Sequence, residues 1–334
     1  MRILTLVACL LFAACSQNEK EEKVQATDFR SSVSLLSKSL LDSPNDTSLL
    51  NARANLFLAQ GNLEGALLDM EFLYQLDSNN YKSLSDLSHL YFQLGQKGKV
   101  EYFRKAMYLL EKDIVTLKNV SKDLTLRYKL FFMVNKHKES LADINSVLKM
   151  DKYMSEAYYY KGLNYCKIGD TTKAISQFQT AVEQDPYYVD AYLVLGLLYD
   201  LKGDSIAELY FDNALLVDST STRVLYNKGK YYQDIFKLEE AKKCYSALLR
   251  FDPKFIDAYY NLGYISLLQQ EYLNGANYFS EVIYANPGFA TAFYSRGLCF
   301  KGLGEFQKAA YDFKKALEVD PDFREAKIEL SKIR

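Results

Sequence analysis

Apolar residues in the second half of the chain recur with the spacing of amphipathic helices. In the segment 190–199, the positions i, i+3, i+4 and i+7 fall on one helical face. They are Tyr192, Leu195, Gly196 and Tyr199. A mid-helix glycine costs roughly 1 kcal/mol relative to alanine. Its place in an apolar face therefore predicts that a neighbouring helix approaches too closely there for a side chain.

A second apolar stripe follows the glycine-bearing one after a short polar turn. One copy runs through Ala174, Phe178 and Ala181 and ends near Pro186. Proline cannot continue a helix, so it separates one unit of the pattern from the next. Each unit is thus predicted to be a first and a second helix joined by a turn.

Several columns of residues share one period. The steps within a column are 34 residues, apart from one step of 33. The glycine column is Gly162, Gly196, Gly229, Gly263 and Gly297, and the aromatic column is Phe178, Phe211, Tyr245, Phe279 and Phe313. A period of this length predicts stacked helical repeats. The short step places a one-residue deletion in the turn 203–205, because a deletion within a helix would rotate its apolar face by about 100°.

This pattern resembles the tetratricopeptide repeat (TPR). That family places an aromatic, Leu-Gly and Tyr in the first helix, and Ala, an aromatic, Ala and Pro in the second half. One unit here matches with Tyr158, Gly162, Tyr165, Ala174, Phe178, Ala181 and Pro186, and has Lys161 where Leu is usual. Another matches with Phe293, Gly297, Phe300, Ala309, Phe313, Ala316 and Pro321. The resemblance implies an all-α fold, a right-handed α-solenoid of helix–turn–helix repeats.

The pattern divides residues 47–323 into eight TPR repeats. They are 47–80, 81–120, 121–154, 155–188, 189–221, 222–255, 256–289 and 290–323. The second repeat is six residues longer than the period. We predict that its extra residues lengthen the second helix or the loop near 112–119. Residues 26–46 and 324–334 are predicted to be N- and C-terminal capping helices, because a solenoid needs ends that cover its last apolar faces.

The first 14 residues have the pattern of an export signal, with Arg2 before an apolar run and small residues. The segment 11–15 resembles the bacterial lipobox, which implies cleavage before Cys15 and acylation of that cysteine. An ordinary signal peptide, with Cys15 incidental, is the alternative. Residues 15–25 are polar and predict a disordered tether. Acyl chains on Cys15 would anchor the protein to a membrane, and Ser16 by the same resemblance implies the outer membrane.

Composition gives no indication of nucleic-acid binding or catalysis. The chain has 41 Lys and Arg against 42 Asp and Glu, a formal net charge of −1, so nucleic acid is not an expected partner. His89 and His137 are the two histidines, and neither lies at metal-ligand spacing from a cysteine or another histidine. No glycine-rich phosphate loop is present. We therefore expect no enzyme activity, no metal and no cofactor.

In the TPR family the first helices line a concave groove, and the residues at positions 2, 5, 6, 9, 12 and 13 of each repeat face it. By that resemblance the candidate partner-binding residues are Tyr159, Tyr226, Asn227, Lys230, Tyr260, Asn261, Tyr264 and Tyr294. Tyrosine offers apolar area with a hydroxyl, and asparagine can pair with backbone amides, so the row suits an extended peptide. The competing interpretation is that these tyrosines only pack across adjacent first helices.

Together these patterns resemble a bacterial TPR lipoprotein. They predict a membrane-anchored scaffold or adaptor that binds protein or peptide partners at the bacterial cell envelope. Two other classes of function remain open. One is a carbohydrate- or peptidoglycan-binding module that stacks sugars on the tyrosines, and the other is a structural protein that self-assembles through a tyrosine-rich face.

Overall fold

The computed structural model of the protein describes residues 29–112 and 121–333, and every regular element in those two ranges is an α-helix. The chain divides into two compact units, Met1–Lys152 and Tyr153–Arg334. None of the described helices has the length and apolar character needed to cross a membrane. The predicted signal peptide (1–14) and tether (15–25) lie outside the described residues. The all-α repeat fold predicted from the sequence is confirmed.

Unit 1 begins with α1 at residues 29–42, within the segment predicted to be the N-terminal cap. Helix pairs follow it in the order predicted for the first three repeats. These helices are α2 (Thr47–Ala59), α3 (Leu63–Leu76), α4 (Tyr81–Gln96), α5 (Glu101–Lys112), α6 (Ser121–Met133) and α7 (His137–Met150).

Unit 2 contains the five most regular repeats and a final single helix. Its first helices are α8 (Ser155–Ile168), α10 (Val189–Leu201), α12 (Thr222–Asp234), α14 (Ile256–Leu268) and α16 (Ala290–Gly302). Its second helices are α9 (Thr171–Gln184), α11 (Ile206–Val217), α13 (Leu238–Phe251), α15 (Tyr272–Ala285) and α17 (Phe306–Val319). The last helix, α18 (Arg324–Lys332), covers the end of the stack at the predicted C-terminal cap.

The glycine and aromatic columns are two sides of one contact. A Cβ added at any of the five column glycines would lie 2.7–2.9 Å from a ring carbon of the second helix in the same repeat. The pairs are Gly162 with Phe178, Gly196 with Phe211, Gly229 with Tyr245, Gly263 with Phe279 and Gly297 with Phe313. All five rings are fully buried. The predicted close approach at the glycine is confirmed, and the cost of glycine in the helix is offset by the packing of a whole ring against its backbone.

The turn between the first and second helix has a left-handed residue in every repeat. These residues are Gly61, Gly98, Asn135, Gly169, Gly203, Phe236, Gln270 and Gly304, with φ between 58° and 94°. Glycine adopts this conformation without a steric cost and asparagine tolerates it. Phe236 and Gln270 are exceptions, because a long side chain in this region of φ is rare.

The two irregular repeats differ in where they accommodate the change of length. In the fifth repeat the missing residue lies between the left-handed Gly203 and Ala207, and it shortens the start of α11, which has 12 residues where α9 and α13 have 14. In the second repeat, the lengthening predicted near 112–119 falls on residues outside the described ranges and stays a prediction. The first helix of that repeat is also longer, since α4 has 16 residues against 13 in α2. Its added turn buries Leu94 fully and brings Gly95 against the Phe103 ring.

Three repeats join their two helices by an ion pair with a buried aspartate. The pairs are Arg53 with Asp69, Arg127 with Asp143, and Arg296 with Asp312, each bidentate with N–O distances of 2.6–2.8 Å. The corresponding residues are Leu195 and Tyr210 in the fifth repeat and Leu262 and Tyr278 in the seventh. The same place between the helices is therefore filled either by a charged pair or by an apolar one.

Candidate functional site

The tyrosines of the predicted row are half-buried, and each contacts two other rings of its own repeat. One ring lies on the second helix and the other just before the next first helix. The ring centroid of Tyr159 lies 5.5 Å from that of Phe178 and 5.0 Å from that of Tyr188, and the centroid of Tyr226 lies 6.1 Å from Tyr245 and 5.2 Å from Phe255. The centroid of Tyr260 lies 5.7 Å from Phe279 and 5.4 Å from Phe289. The centroid of Tyr294 lies 5.8 Å from Phe313 and 5.0 Å from Phe323. These ring contacts lie within repeats rather than across adjacent first helices.

The row is interrupted in the fifth repeat. Leu193 takes the tyrosine position there and is 2% exposed, and Ser221 stands where the other repeats have the ring before the next first helix. Tyr159 on α8 is therefore separated from the others. The continuous part of the row consists of Tyr226, Tyr260 and Tyr294 on α12, α14 and α16, and we call these three residues the tyrosine row from here on.

Burial raises the pKa of two of the row hydroxyls and that of Tyr159. The pKa of Tyr260 is raised by burial, and a hydrogen bond with Ser295 on the next first helix partly offsets that rise. The pKa of Tyr294 is raised by burial and by the negative charges of Glu329 and Glu325. At Tyr159, burial and the charge of Asp190 raise the pKa to about 12. A neutral phenol can both donate and accept a hydrogen bond at physiological pH.

Polar side chains predicted beside the row share the same helices. Asn227 is half-buried, and its Nδ2 donates to the backbone oxygen of Arg223 at 2.7 Å. Asn261 is half-buried, Lys230 is exposed, and Tyr264 is 39% exposed. The arrangement therefore offers amide, ammonium and phenol groups on neighbouring first helices.

Arg223 belongs to this surface although the sequence did not single it out. Its Nη1 lies 2.8 Å from Asp190 Oδ1 and links α12 to α10. The two residues hold equivalent positions of consecutive repeats, and a search of those positions for opposite charges would have found them. Across residues 29–112 and 121–333, no group of three or more His, Cys, Asp and Glu side chains is arranged to hold a metal ion.

Unit 1 has a different polar cluster on its first helices. Ser85 Oγ donates to Asp123 Oδ1 at 2.8 Å, His89 Nε2 lies 3.0 Å from the same oxygen, and the Tyr81 hydroxyl donates to Oδ2. Burial would raise the pKa of Asp123, but the hydrogen bonds from His89, Tyr81 and Ser85 outweigh it and hold the pKa below its usual value. Tyr81, Ser85 and His89 follow one another at a spacing of four residues along α4, and this spacing is the sequence signal that could have revealed the cluster. The cluster ties α4 to α6, so its evident role is structural.

Family comparisons agree with the geometry of the repeats. A tetratricopeptide repeat model matches residues 290–323, a second matches 256–289, and a third TPR repeat model matches 162–203 and 237–270. The chain is a tetratricopeptide repeat protein. Proteins of this family serve as protein-interaction scaffolds, and their repeat fold is generally non-catalytic.

Curated proteins similar to this TPR protein share only part of their length with it. Tetratricopeptide repeat protein 6 of Homo sapiens is 27% identical over 55% of this chain and 37% of its own length. FK506-binding protein-like of Mus musculus is 37% identical over 28% of this chain and 29% of its own. Hsp70-Hsp90 organizing protein 1 of Glycine max is 34% identical over 26% and 16%. The chain thus spans less than two fifths of the length of each relative.

Two solved structures show the same fold. The C-terminal part of a TPR repeat-containing protein from Cytophaga hutchinsonii is 20% identical, with a TM-score of 0.61 over 74% of this chain and 99% of that one. YrrB, described as a TPR protein with an unusual peptide-binding site, is 19% identical, with a TM-score of 0.51 over 57% of this chain and 97% of its own. At these identities the similarity concerns the fold alone.

Proposed function

We propose that this TPR protein is a scaffold that binds a peptide segment of a partner protein on α12, α14 and α16. The observation that carries the proposal is the tyrosine row itself. Each ring is fixed between two rings of its own repeat, while Asn227 and Asn261 lie on the same helices. A surface whose side chains are already ordered loses less conformational entropy when a ligand binds.

The dimensions of the surface suit an extended peptide. Neighbouring packed helices lie about 8–10 Å apart, so three first helices present a surface about 20 Å long. An extended chain rises about 3.3 Å per residue, which gives a binding segment of about six residues. Phenol and amide groups can pair with the backbone of such a segment whatever its side chains. We propose neither catalysis nor a cofactor for this surface, and a net charge of −1 makes nucleic acid an unsuitable ligand.

We further propose that the scaffold is anchored by acyl chains on Cys15 at the bacterial cell envelope, with the outer membrane as its site. Support comes from the sequence of the first 25 residues alone. An anchored scaffold would hold its partner at the membrane while the tether lets the repeats reach it.

Replacing Cys15 with serine is expected to release the protein from the membrane pellet, because serine cannot carry the thioether-linked lipid. The measurement is fractionation of cells that express the wild-type chain or the Cys15→Ser variant, followed by mass spectrometry of the N-terminal peptide. The control is the same replacement, by serine, at Cys244, a buried cysteine that lies outside the lipobox. It should leave fractionation unchanged. A Cys15→Ser protein that stays in the pellet would refute the anchor.

The tyrosine row is best tested with phenylalanine, because alanine would open cavities costing about 3–5 kcal/mol each. Phenylalanine keeps the ring contacts and removes only the hydroxyls. The triple variant of Tyr226, Tyr260 and Tyr294 is expected to bind its partner about 10–1000-fold more weakly, since each lost hydrogen bond contributes about 0.5–1.5 kcal/mol. Recovery of partners after crosslinking in cells, compared with wild type, measures the loss.

A matched triple variant distinguishes this effect from a general one. Tyr272, Tyr278 and Tyr284 lie on α15, a second helix, and their replacement by phenylalanine should not change partner recovery. If the row variant and this control variant recover partners equally well, the result would count against the first-helix surface as the binding site. Retention of the purified chain by isolated envelope polysaccharide rather than by envelope protein would instead favour the carbohydrate-binding alternative.

A further inference from the structure

One edge of unit 2 exposes an apolar side chain at every turn that joins a first helix to a second. The residues lie at or next to the C-terminal ends of the first helices. They are Ile168, Leu201, Ile235, Phe236, Leu268 and Leu303, and we call them the turn edge. Leu201 and Phe236 are each 81% exposed. Single exposed apolar residues are ordinary, but a row that covers five consecutive turns is not.

The opposite turns, which lead from a second helix to the next repeat, share an aspartate motif. Four of them carry an aspartate whose Oδ1 accepts from the backbone N–H two residues later at 3.0 Å. These aspartates are Asp185, Asp218, Asp252 and Asp320. The opposite turns also expose apolar side chains, such as Tyr187 and Phe251. The turn edge differs from them in combining exposed apolar side chains with a left-handed residue at each turn.

Phe236 is unfavourable in the chain on its own. Its φ of 58° is left-handed, at the turn position where five of the eight repeats have glycine. Such a backbone is strained for a residue with a large side chain. Because the ring is 81% exposed, it gains little packing in return. A ring held in strained backbone and left in solvent contributes to binding more readily than to folding.

The turns of the edge are held to one another by side chains, so the row is formed before any ligand arrives. Each turn from the sixth repeat onward is tied to the preceding repeat. The ties are Lys237 Nζ to Glu208 Oε2 at 3.1 Å, Gln269 Nε2 to Glu239 Oε1 at 2.7 Å, and the Tyr272 ring against Gly302.

Two carboxylates lie beside the centre of the edge, where the exposed Lys202 follows Leu201. Asp200 and Asp234 lie in the last turns of α10 and α12, next to Leu201 and Ile235. Within the described part of unit 2, neither carboxylate has a hydrogen bond or an ion pair. Burial and the charge of Asp234 raise the pKa of Asp200, and the charge of Lys230 only partly offsets that rise. The C-terminal ends of both helices add partial negative charge.

We propose that the turn edge is a second docking surface, for a segment of a partner protein that carries apolar side chains next to a lysine or arginine. The apolar side chains cover Leu201, Ile235 and Phe236. The cation lies between Asp200 and Asp234, where it relieves the repulsion between two like charges at two helix ends. This surface is separate from the tyrosine row and does not depend on it.

The same charges disfavour two other occupants. A membrane with anionic lipids would be repelled by Asp200 and Asp234, since basic residues are what such a surface attracts. A second copy that docked edge to edge would bring the two aspartate pairs together. Charge complementarity therefore favours a cationic partner segment.

The test selects random 12-residue peptides displayed on phage against the immobilised full chain, with counter-selection on the Phe236→Gly variant. We expect the enriched peptides to place a lysine or arginine within four residues of a leucine, isoleucine or phenylalanine. The most enriched peptide, synthesised with a fluorophore, should bind the Phe236→Gly variant and the Asp200→Asn, Asp234→Asn double variant each about tenfold more weakly than wild type.

The Phe236→Gly variant contains its own folding control. Glycine adopts the left-handed backbone without strain, so the melting temperature of the variant should rise by about 2 °C while peptide binding falls. Gln270→Gly is the matched variant, because Gln270 holds the same turn position one repeat later with a φ of 62° and an exposed side chain. It should show a similar thermal shift with unchanged affinity for the peptide. Tyr260→Phe should also leave that affinity unchanged.

Several results would overturn the proposal. Enriched peptides that are neutral or acidic would exclude the predicted charge. Equal affinity for wild type and Phe236→Gly would exclude the edge. A dimer in light scattering that Phe236→Gly dissociates would assign the edge to a second copy, and binding to phosphatidylcholine vesicles that the same variant abolishes would assign it to a lipid surface.

Discussion

Replacing Asp143 with alanine is expected to lower the free energy of unfolding by about 3–5 kcal/mol, because it leaves a buried arginine without its counter-charge. The side chains of Arg127 and Asp143 are each only 9% exposed. The guanidinium donates two hydrogen bonds to this carboxylate, and its buried Nη1 has no hydrogen-bond partner among the described residues. Urea denaturation followed by circular dichroism, with hydrogen exchange of α6 and α7, measures the loss where it occurs.

The apolar repeats indicate how the loss can be reversed. Arg127→Leu combined with Asp143→Tyr reproduces the pair found as Leu195 with Tyr210 in the fifth repeat. Removing both charges removes both desolvation penalties, so the double variant should recover most of the stability that Asp143→Ala loses. If the double variant is as unstable as the single one, the unpaired charge is not the cause.

Gly263→Leu is expected to destabilise unit 2 by about 3 kcal/mol. A Cβ at this position would lie 2.9 Å from the fully buried Phe279 ring, and overpacking of a filled core outweighs the gain of about 1 kcal/mol in helix propensity. Thermal and urea unfolding measure the effect. The matched control is Gly288→Leu, in an exposed turn where a Cβ would meet only Asn286 Oδ1 at 3.4 Å.

A double-mutant cycle shows whether the ring is responsible. Phe279→Ala alone should cost about 3–5 kcal/mol through the cavity it leaves. The double variant Gly263→Leu, Phe279→Ala should lose clearly less free energy of unfolding than the sum of the losses in the two single variants, because the leucine fills part of the cavity. Strict additivity would show that the glycine and the ring are not in contact.

The repeat period predicted the contacts of the core because those contacts join two columns of the same period. The glycine column predicted a close approach, and the aromatic column supplies the ring that makes it. The period also showed that the deletion of the fifth repeat precedes Ala207, although it shortens the start of α11 and not the turn. It did not reveal the longer first helix of the second repeat, where the apolar pattern of α4 continues through Tyr91 and Leu94.

The site was predicted less completely than the fold. Position in the repeat identified the tyrosines, but the rings that hold them include Phe255, Phe289 and Phe323, which lie in turns where no helical period applies. The ion pairs were missed because a search for apolar columns passes over charged residues. The turn edge was missed because nothing in the sequence shows that Phe236 takes the left-handed position of a glycine.

The alternation of charged and apolar helix pairs bears on how a chain of similar repeats avoids folding errors. Near-identical helices can pair with the wrong neighbour, and such misassembly is a characteristic failure of repeat proteins. If α16 took the place of α14 against α15, Arg296 would lie against Tyr278 instead of Asp312. Such a mispaired intermediate carries an uncompensated charge, which destabilises it, so its helices separate readily. The ion pairs therefore favour the pairing of each helix with its own partner during folding.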